Sequence, residues 1–170
     1  MEISPQPTRS PFFIWLDGLS DQRFTLFLYL LRWTIVVPLG WFLSPFATSA
    51  DTFKMPSADP WSLLVPFLIL APILEALLEC TLPYTLMYRL RGRQPQSPWP
   101  FVVLAAFAMV ALHPLTPVVI VFAFITGAFL AYVYGHFAPQ SQLKAFLHTA
   151  AFHAGINIVG WTGILFQSNR

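Results

Sequence analysis

Residues 61–88 read WSLLVPFLILAPILEALLECTLPYTLMY, an apolar run broken by two acidic side chains, Glu75 and Glu79, and followed by the basic residues Arg89, Arg91 and Arg93. As a helix it would extend roughly 40 Å at 1.5 Å per residue. A hydrocarbon core about 30 Å thick asks for about 20 apolar residues. The run is therefore long enough to cross a bilayer, and the basic residues mark the flank where it leaves.

The remainder of the chain agrees with that reading. Of 170 residues, 56% are hydrophobic and 9% charged, where a soluble domain carries roughly a quarter charged residues. A water-facing surface cannot be built from so few. Seventeen Phe, six Trp and sixteen Pro suit membrane helices, in which neighbouring helices re-satisfy backbone groups freed by a proline. Further apolar segments lie at about 24–46, 99–112, 118–134 and 143–165. The expected fold is all-α: a polytopic transmembrane helix bundle of about five spans over residues 24–170, preceded by a cytoplasmic or interfacial segment, 1–23. Within that segment PFFIWLDGL (11–19) is apolar but too short to span, and its aromatics suit headgroup depth. Only His113 to Pro117 separate the third and fourth segments, which implies a hairpin that does not cross fully.

Arg32 falls inside the first span, where it must snorkel towards the interface, pair with a carboxylate or mark the true entry point of the helix; snorkelling is the expectation. With the Arg89–Arg93 loop in the cytoplasm, Arg9, Arg23 and Lys144 share its side while Lys54 and Arg170 lie opposite. The positive-inside rule then places the N-terminus in the cytoplasm; the membrane is expected to be a bacterial inner membrane or a thylakoid, a choice the rule does not make. A cleaved signal peptide is not expected, because Pro5, Pro7, Pro11, Asp17 and Asp21 interrupt the start of the chain. The single Cys80 sits in an apolar run and reads as a buried hydrophobe. There is no internal repeat, no glycine-rich phosphate loop and no basic patch with interleaved aromatics. Nucleic acid is not an expected partner; membrane lipid and a peptide or membrane-protein substrate are.

Chemistry is confined to a few side chains. Of seven acidic residues, Glu2, Asp17, Asp21, Asp51 and Asp59 fall in tails or loops, which leaves Glu75 and Glu79 within a span. A carboxylate at membrane depth costs on the order of 3 kcal/mol, so it faces a protein interior and pairs with something. Spaced four apart, the two glutamates are expected on one helix face, one turn apart. The polar groups available to them are His113, His148, His153 and Asn157. His148 precedes His153 by five residues, roughly 140° around a helix, and only His153 has a polar neighbour at i+4, Asn157. Together these residues make either a hydrolytic centre, with a glutamate as general base and the amide as oxyanion donor, or a metal site. Periodicity does not choose between them.

The order of these groups resembles the CPBP family of intramembrane proteases, also called the Abi or type II CAAX prenyl endopeptidase family. Its pattern is a Glu-Glu-x-x-x-Arg helix, a Phe-x-x-x-His helix and a His-x-x-x-Asn helix. The corresponding stretches here are Ala71-Pro72-Ile73-Leu74-Glu75-Ala76, Met109-Val110-Ala111-Leu112-His113 and His153-Ala154-Gly155-Ile156-Asn157. Phe122–Tyr134, with Gly127 at its centre, looks like the family's glycine-containing helix, so the likeness covers about residues 60–162. It implies that water activated by Glu75 with help from His113 attacks a peptide carbonyl, while His153 and Asn157 stabilise the oxyanion. It also admits zinc on Glu75, His113 and His153. The chain departs from the pattern with Ala76 for the second glutamate, Cys80 for the arginine and Met109 for the phenylalanine. Glu79, one turn from Glu75, stands as the substitute acid.

Those departures motivate an alternative, a catalytically degenerate relative serving as an assembly or binding subunit of a membrane complex. A further alternative places haem or another tetrapyrrole on His113, His148 or His153. Proton or ion transport through the intramembrane Glu and His is the fourth reading.

Overall fold

The computed structural model describes residues 11–47, 60–90, 92 and 97–168, with Phe13, Asp17, Pro60, Leu63 and residues 163–168 described by backbone alone. Among the described residues every element is helical. A short helix α1 (Pro11–Asp17) leads into α2 (Asp21–Leu43), which a 3-10 turn extends to Phe46. After a 3-10 turn at Pro60–Leu63 comes α3 (Pro66–Arg89). Then follow α4 (Trp99–Ala111), α5 (Pro117–Phe137) and α6 (Gln142–Ser168).

Among the described residues three helices are long and apolar enough to cross a membrane: Asp21–Phe46, Pro66–Arg89 and Pro117–Phe137. The chain is therefore an integral membrane protein. The expected five spans reduce to these three by that measure. Helix α4 is apolar but has only 13 residues, about 20 Å at 1.5 Å each. Helix α6 has 27 residues, and Gln142, Lys144, His148, His153 and Asn157 dilute its apolar character. The topology residues Arg9, Lys54, Arg91, Arg93 and Arg170 lie outside the described residues, as do Glu2, Asp51 and Asp59.

Helix α5 is the centre of the bundle. It packs along α4, is crossed by α6 and α2, and touches the middle of α3. Its buried residues include Thr126, Gly127, Leu130, Ala131, Val133, Tyr134 and Phe137. Gly127 lets α4 approach: a Cβ there would lie 2.7 Å from the Met109 Cβ and 2.9 Å from the Ala106 Cα. Helix α3 buries a narrow stripe, Pro72, Ala76, Glu79, Cys80 and Tyr84, and exposes Leu74, Leu77, Leu78, Leu82 and Leu86. A soluble protein does not expose so continuous an apolar surface; lipid is the solvent such a surface fits.

The N-terminal segment is not simply laid on lipid. Leu16 is buried in the core, and Trp15 meets the Phe27 ring edge-on at 5.2 Å, while Phe12, Ile14 and Trp15 keep exposed faces. Arg32 departs from expectation. It is 5% exposed and points inward, its Nη2 donating to Thr126 Oγ1 at 3.0 Å. The buried residues of α2 are Phe24, Leu28 and Arg32, a spacing of four that puts the arginine on the helix face turned towards α5.

Candidate functional site

The backbone of α3 alternates between α and π turns, with π segments at Pro66–Leu70, Ala76–Thr81 and Thr85–Arg89. Such i→i+5 turns inside a helix are frequent at functional sites. Here a proline explains one consequence. In the first π segment the Ala71 N–H bonds to the Pro66 carbonyl, so the next donor in that register, to the Phe67 carbonyl, would be residue 72. That residue is proline and has no N–H. The Asn157 side chain from α6 supplies the missing donor, its Nδ2 lying 2.8 Å from the Phe67 carbonyl oxygen. A buried carbonyl left without a donor would cost about 1–3 kcal/mol, so this bond ties α6 to α3 at a defined height.

One helical turn before Asn157, His153 faces the same helix. Its Nδ1 lies 2.9 Å from Glu75 Oε2, with the side chains 6% and 19% exposed. The approach misses hydrogen-bond angles, and both atoms are buried without a hydrogen bond. Between His153 and Asn157, Gly155 gives Tyr29 of α2 room to close in: Tyr29 Oη donates to the Gly155 carbonyl at 3.0 Å, and a Cβ on Gly155 would meet its ring at 3.3 Å. The site segment of α6 is thus held from two sides, by Tyr29 and by the Phe67 carbonyl.

Glu75 and Glu79 do not occupy equivalent positions. Glu75 closes an α turn and keeps some exposure; Glu79 lies in the following π segment, which α4, α5 and α6 all touch, and is fully buried. Neither Glu79 carboxyl oxygen has a hydrogen-bond partner. The π turn alters the simple stacking expected of residues four apart in an α-helix.

His113 stands just past the end of α4, where its Nδ1 lies 2.8 Å from the Met109 carbonyl. A carbonyl can only accept, so Nδ1 is the donor in this contact. His148 is directed elsewhere: its Nδ1 lies 3.3 Å from Thr25 Oγ1 and its ring stacks on Phe137 at 4.2 Å. The structure therefore brings together Glu75, His153 and, through the backbone bond, Asn157. It places Glu79 deeper, and His113 at the α4–α5 turn.

One expectation fares poorly against this geometry. Among the described residues no group of three His, Cys, Asp or Glu side chains comes together that could hold a metal ion, so Glu75, His113 and His153 do not form the zinc set that the family likeness admitted. His113, His148 and His153 each face a different protein group. Sequence reading missed the Phe67 carbonyl, Tyr29 and Arg32. The signal for Arg32 was its spacing from Phe24 and Leu28; for a carbonyl acceptor there was none beyond Pro72 itself. A scan against family models found no match, and searches of curated proteins and of solved structures found none either.

Proposed function

We propose that this chain is an intramembrane endopeptidase that hydrolyses a peptide bond with a water activated by Glu75, in a bundle that crosses the membrane about five times with its N-terminus in the cytoplasm. The likeness to the CPBP family, as read from its three short motifs, supplies the reaction class. The observation that carries the reading is the 2.9 Å approach of Glu75 Oε2 to His153 Nδ1, both atoms buried and neither hydrogen-bonded. The Glu75 side chain keeps 19% exposure beyond that contact, so a water can reach its carboxylate.

Glu75, the more exposed partner, takes a proton from that water as its oxygen bonds to the substrate carbonyl carbon. His153 orients the carboxylate. The Asn157 amide gives one hydrogen to Phe67 and keeps a second for the developing oxyanion. The C–N bond then breaks, and the proton held on Glu75 passes to the leaving amine. No step is routed through zinc, because the three donors it would need are not gathered. Glu79 and His113 remain candidate contributors through the family pattern, without a step assigned.

The test is co-reconstitution with a set of tagged single-span helices, with products read by mass spectrometry. General-base catalysis contributes about 10²–10⁴ in rate, so Glu75→Gln should lose at least a hundredfold. Equal cleavage by the variant would refute the reading. The Asn157–Phe67 bond favours a second reading, in which the polar residues staple helices in an assembly subunit of a membrane complex. A partner that co-purifies equally well with a Glu75→Ala, His153→Ala double variant, with no cleavage by wild type, would establish it.

A further inference from the structure

Arg32 is the twelfth residue of the Asp21–Phe46 span, roughly 16 Å along the helix from its start at 1.5 Å per residue. That is near mid-membrane for a core about 30 Å thick. Its guanidinium is buried, and only Nη2 is bonded, to Thr126; Nε and Nη1 have no hydrogen-bond partner. The guanidinium carbon lies 4.7 Å from the centroid of the Trp33 ring, and Trp33 Nε1 is likewise buried and unbonded. The ion pairs of the described residues are Lys144–Asp21 and His153–Glu75; neither involves Arg32.

The unmet groups at this place are all N–H donors beside a positive charge, so the ligand they fit is an acceptor with negative charge. With one Nη2 hydrogen on Thr126, the guanidinium keeps enough N–H groups on one edge for a bidentate carboxylate. Depth chooses its source. A lipid phosphate sits at the interface, about half a bilayer core away. A second copy of this chain offers little, since Glu79 is fully buried and Glu75 faces His153. Helix α2 lies at the perimeter, with 11% of its span window buried, although Arg32 itself is turned inward against the half-buried Trp33 ring. We infer that Arg32, Thr126 and Trp33 form a docking point for a transmembrane helix of another protein that carries an Asp or Glu at mid-span. The half-buried Trp33 ring covers the guanidinium and swings aside when the carboxylate arrives. This inference does not rest on hydrolysis: docking is read without cleavage.

The probe is a lysine-flanked polyleucine helix with one central Asp, compared with the same helix bearing Asn, each labelled for energy transfer to the full chain in phosphatidylcholine nanodiscs. The Asp helix should bind at least tenfold more tightly than the Asn helix. Arg32→Gln should bring that ratio within twofold, and moving the Asp two turns towards either end should abolish it. If Arg32→Gln does not fold, Trp33→Phe, which keeps the ring and removes one donor, should lower the ratio about threefold. Equal binding of the two helices by wild type overturns the inference, as does an Asp preference that survives Arg32→Gln. Loss of the preference when anionic lipid is added overturns it too, by assigning the site to lipid phosphate.

Discussion

Replacing Gly127 by alanine is expected to drive α4 and α5 apart. The added Cβ would lie 2.7 Å from the Met109 Cβ, 2.9 Å from the Ala106 Cα and 3.2 Å from the Ala105 carbonyl oxygen. Carbon atoms settle about 3.5–4.0 Å apart, so the helices must separate by about 1 Å. The nearest obstacles are the root of a side chain and backbone, neither of which can swing away. Overpacking of this kind costs about 1–3 kcal/mol, and the interface involved buries Phe101, Val102, Ala105, Ala106 and Met109, so the upper end applies. Alanine also gains up to about 1 kcal/mol of helix propensity over glycine. Gly135→Ala, about two turns further along α5, shares that gain but meets only Phe101 Cδ1 at 3.7 Å, an ordinary contact. The difference between the two variants isolates the clash: about 3 kcal/mol, more than a hundredfold in the folding equilibrium. Unfolding in mixed micelles titrated with dodecyl sulfate, followed by far-ultraviolet circular dichroism, measures it. Stabilities within about 0.5 kcal/mol of each other would refute the close approach of α4 to α5.

Asn157→Ala should destabilise the fold by about 1–3 kcal/mol by orphaning the Phe67 carbonyl. Adding Pro72→Ala, which restores a backbone donor, should recover part of that loss; a double-mutant cycle with no coupling would refute the link. Arg32→Met should leave stability unchanged or raise it by about 1 kcal/mol or more, because a buried charge with unmet donors is replaced by an apolar chain; a loss above 1 kcal/mol in the same titration would count against the unpaired guanidinium. Phenanthroline should leave cleavage of a validated substrate within twofold, since among the described residues no three metal-binding side chains are gathered. A loss reversed by zinc would reinstate the metal reading.

The helices themselves were readable because lipid imposes a length and an apolar content on them. Segments expected at 99–112 and 118–134 correspond to helices at Trp99–Ala111 and Pro117–Phe137. What lay beyond reading was how polar groups settle between them. Arg32 was judged by depth, when its spacing from Phe24 and Leu28 already put it on the inward face. Glu75 and Glu79 were judged by α periodicity, which the π segment after Glu75 alters. His113 is read as a site residue from the family pattern, whereas in the structure its ring meets the Met109 carbonyl at the end of its own helix. Asn157 meets a backbone carbonyl 90 residues away, a contact that leaves no spacing in a motif.

The 13-residue α4 has a consequence for the membrane around it. At about 20 Å it falls some 10 Å short of the hydrocarbon thickness. A deficit of that size is met by thinning the bilayer beside the short element and by drawing polar headgroups inwards. In a bilayer that α4 crosses, the dent would lie where α4 gives way to the His113–Thr116 turn, with its exposed Leu112 and Leu115. Were α4 one of the spans, water on this side of the bundle would reach a depth that lipid elsewhere denies it.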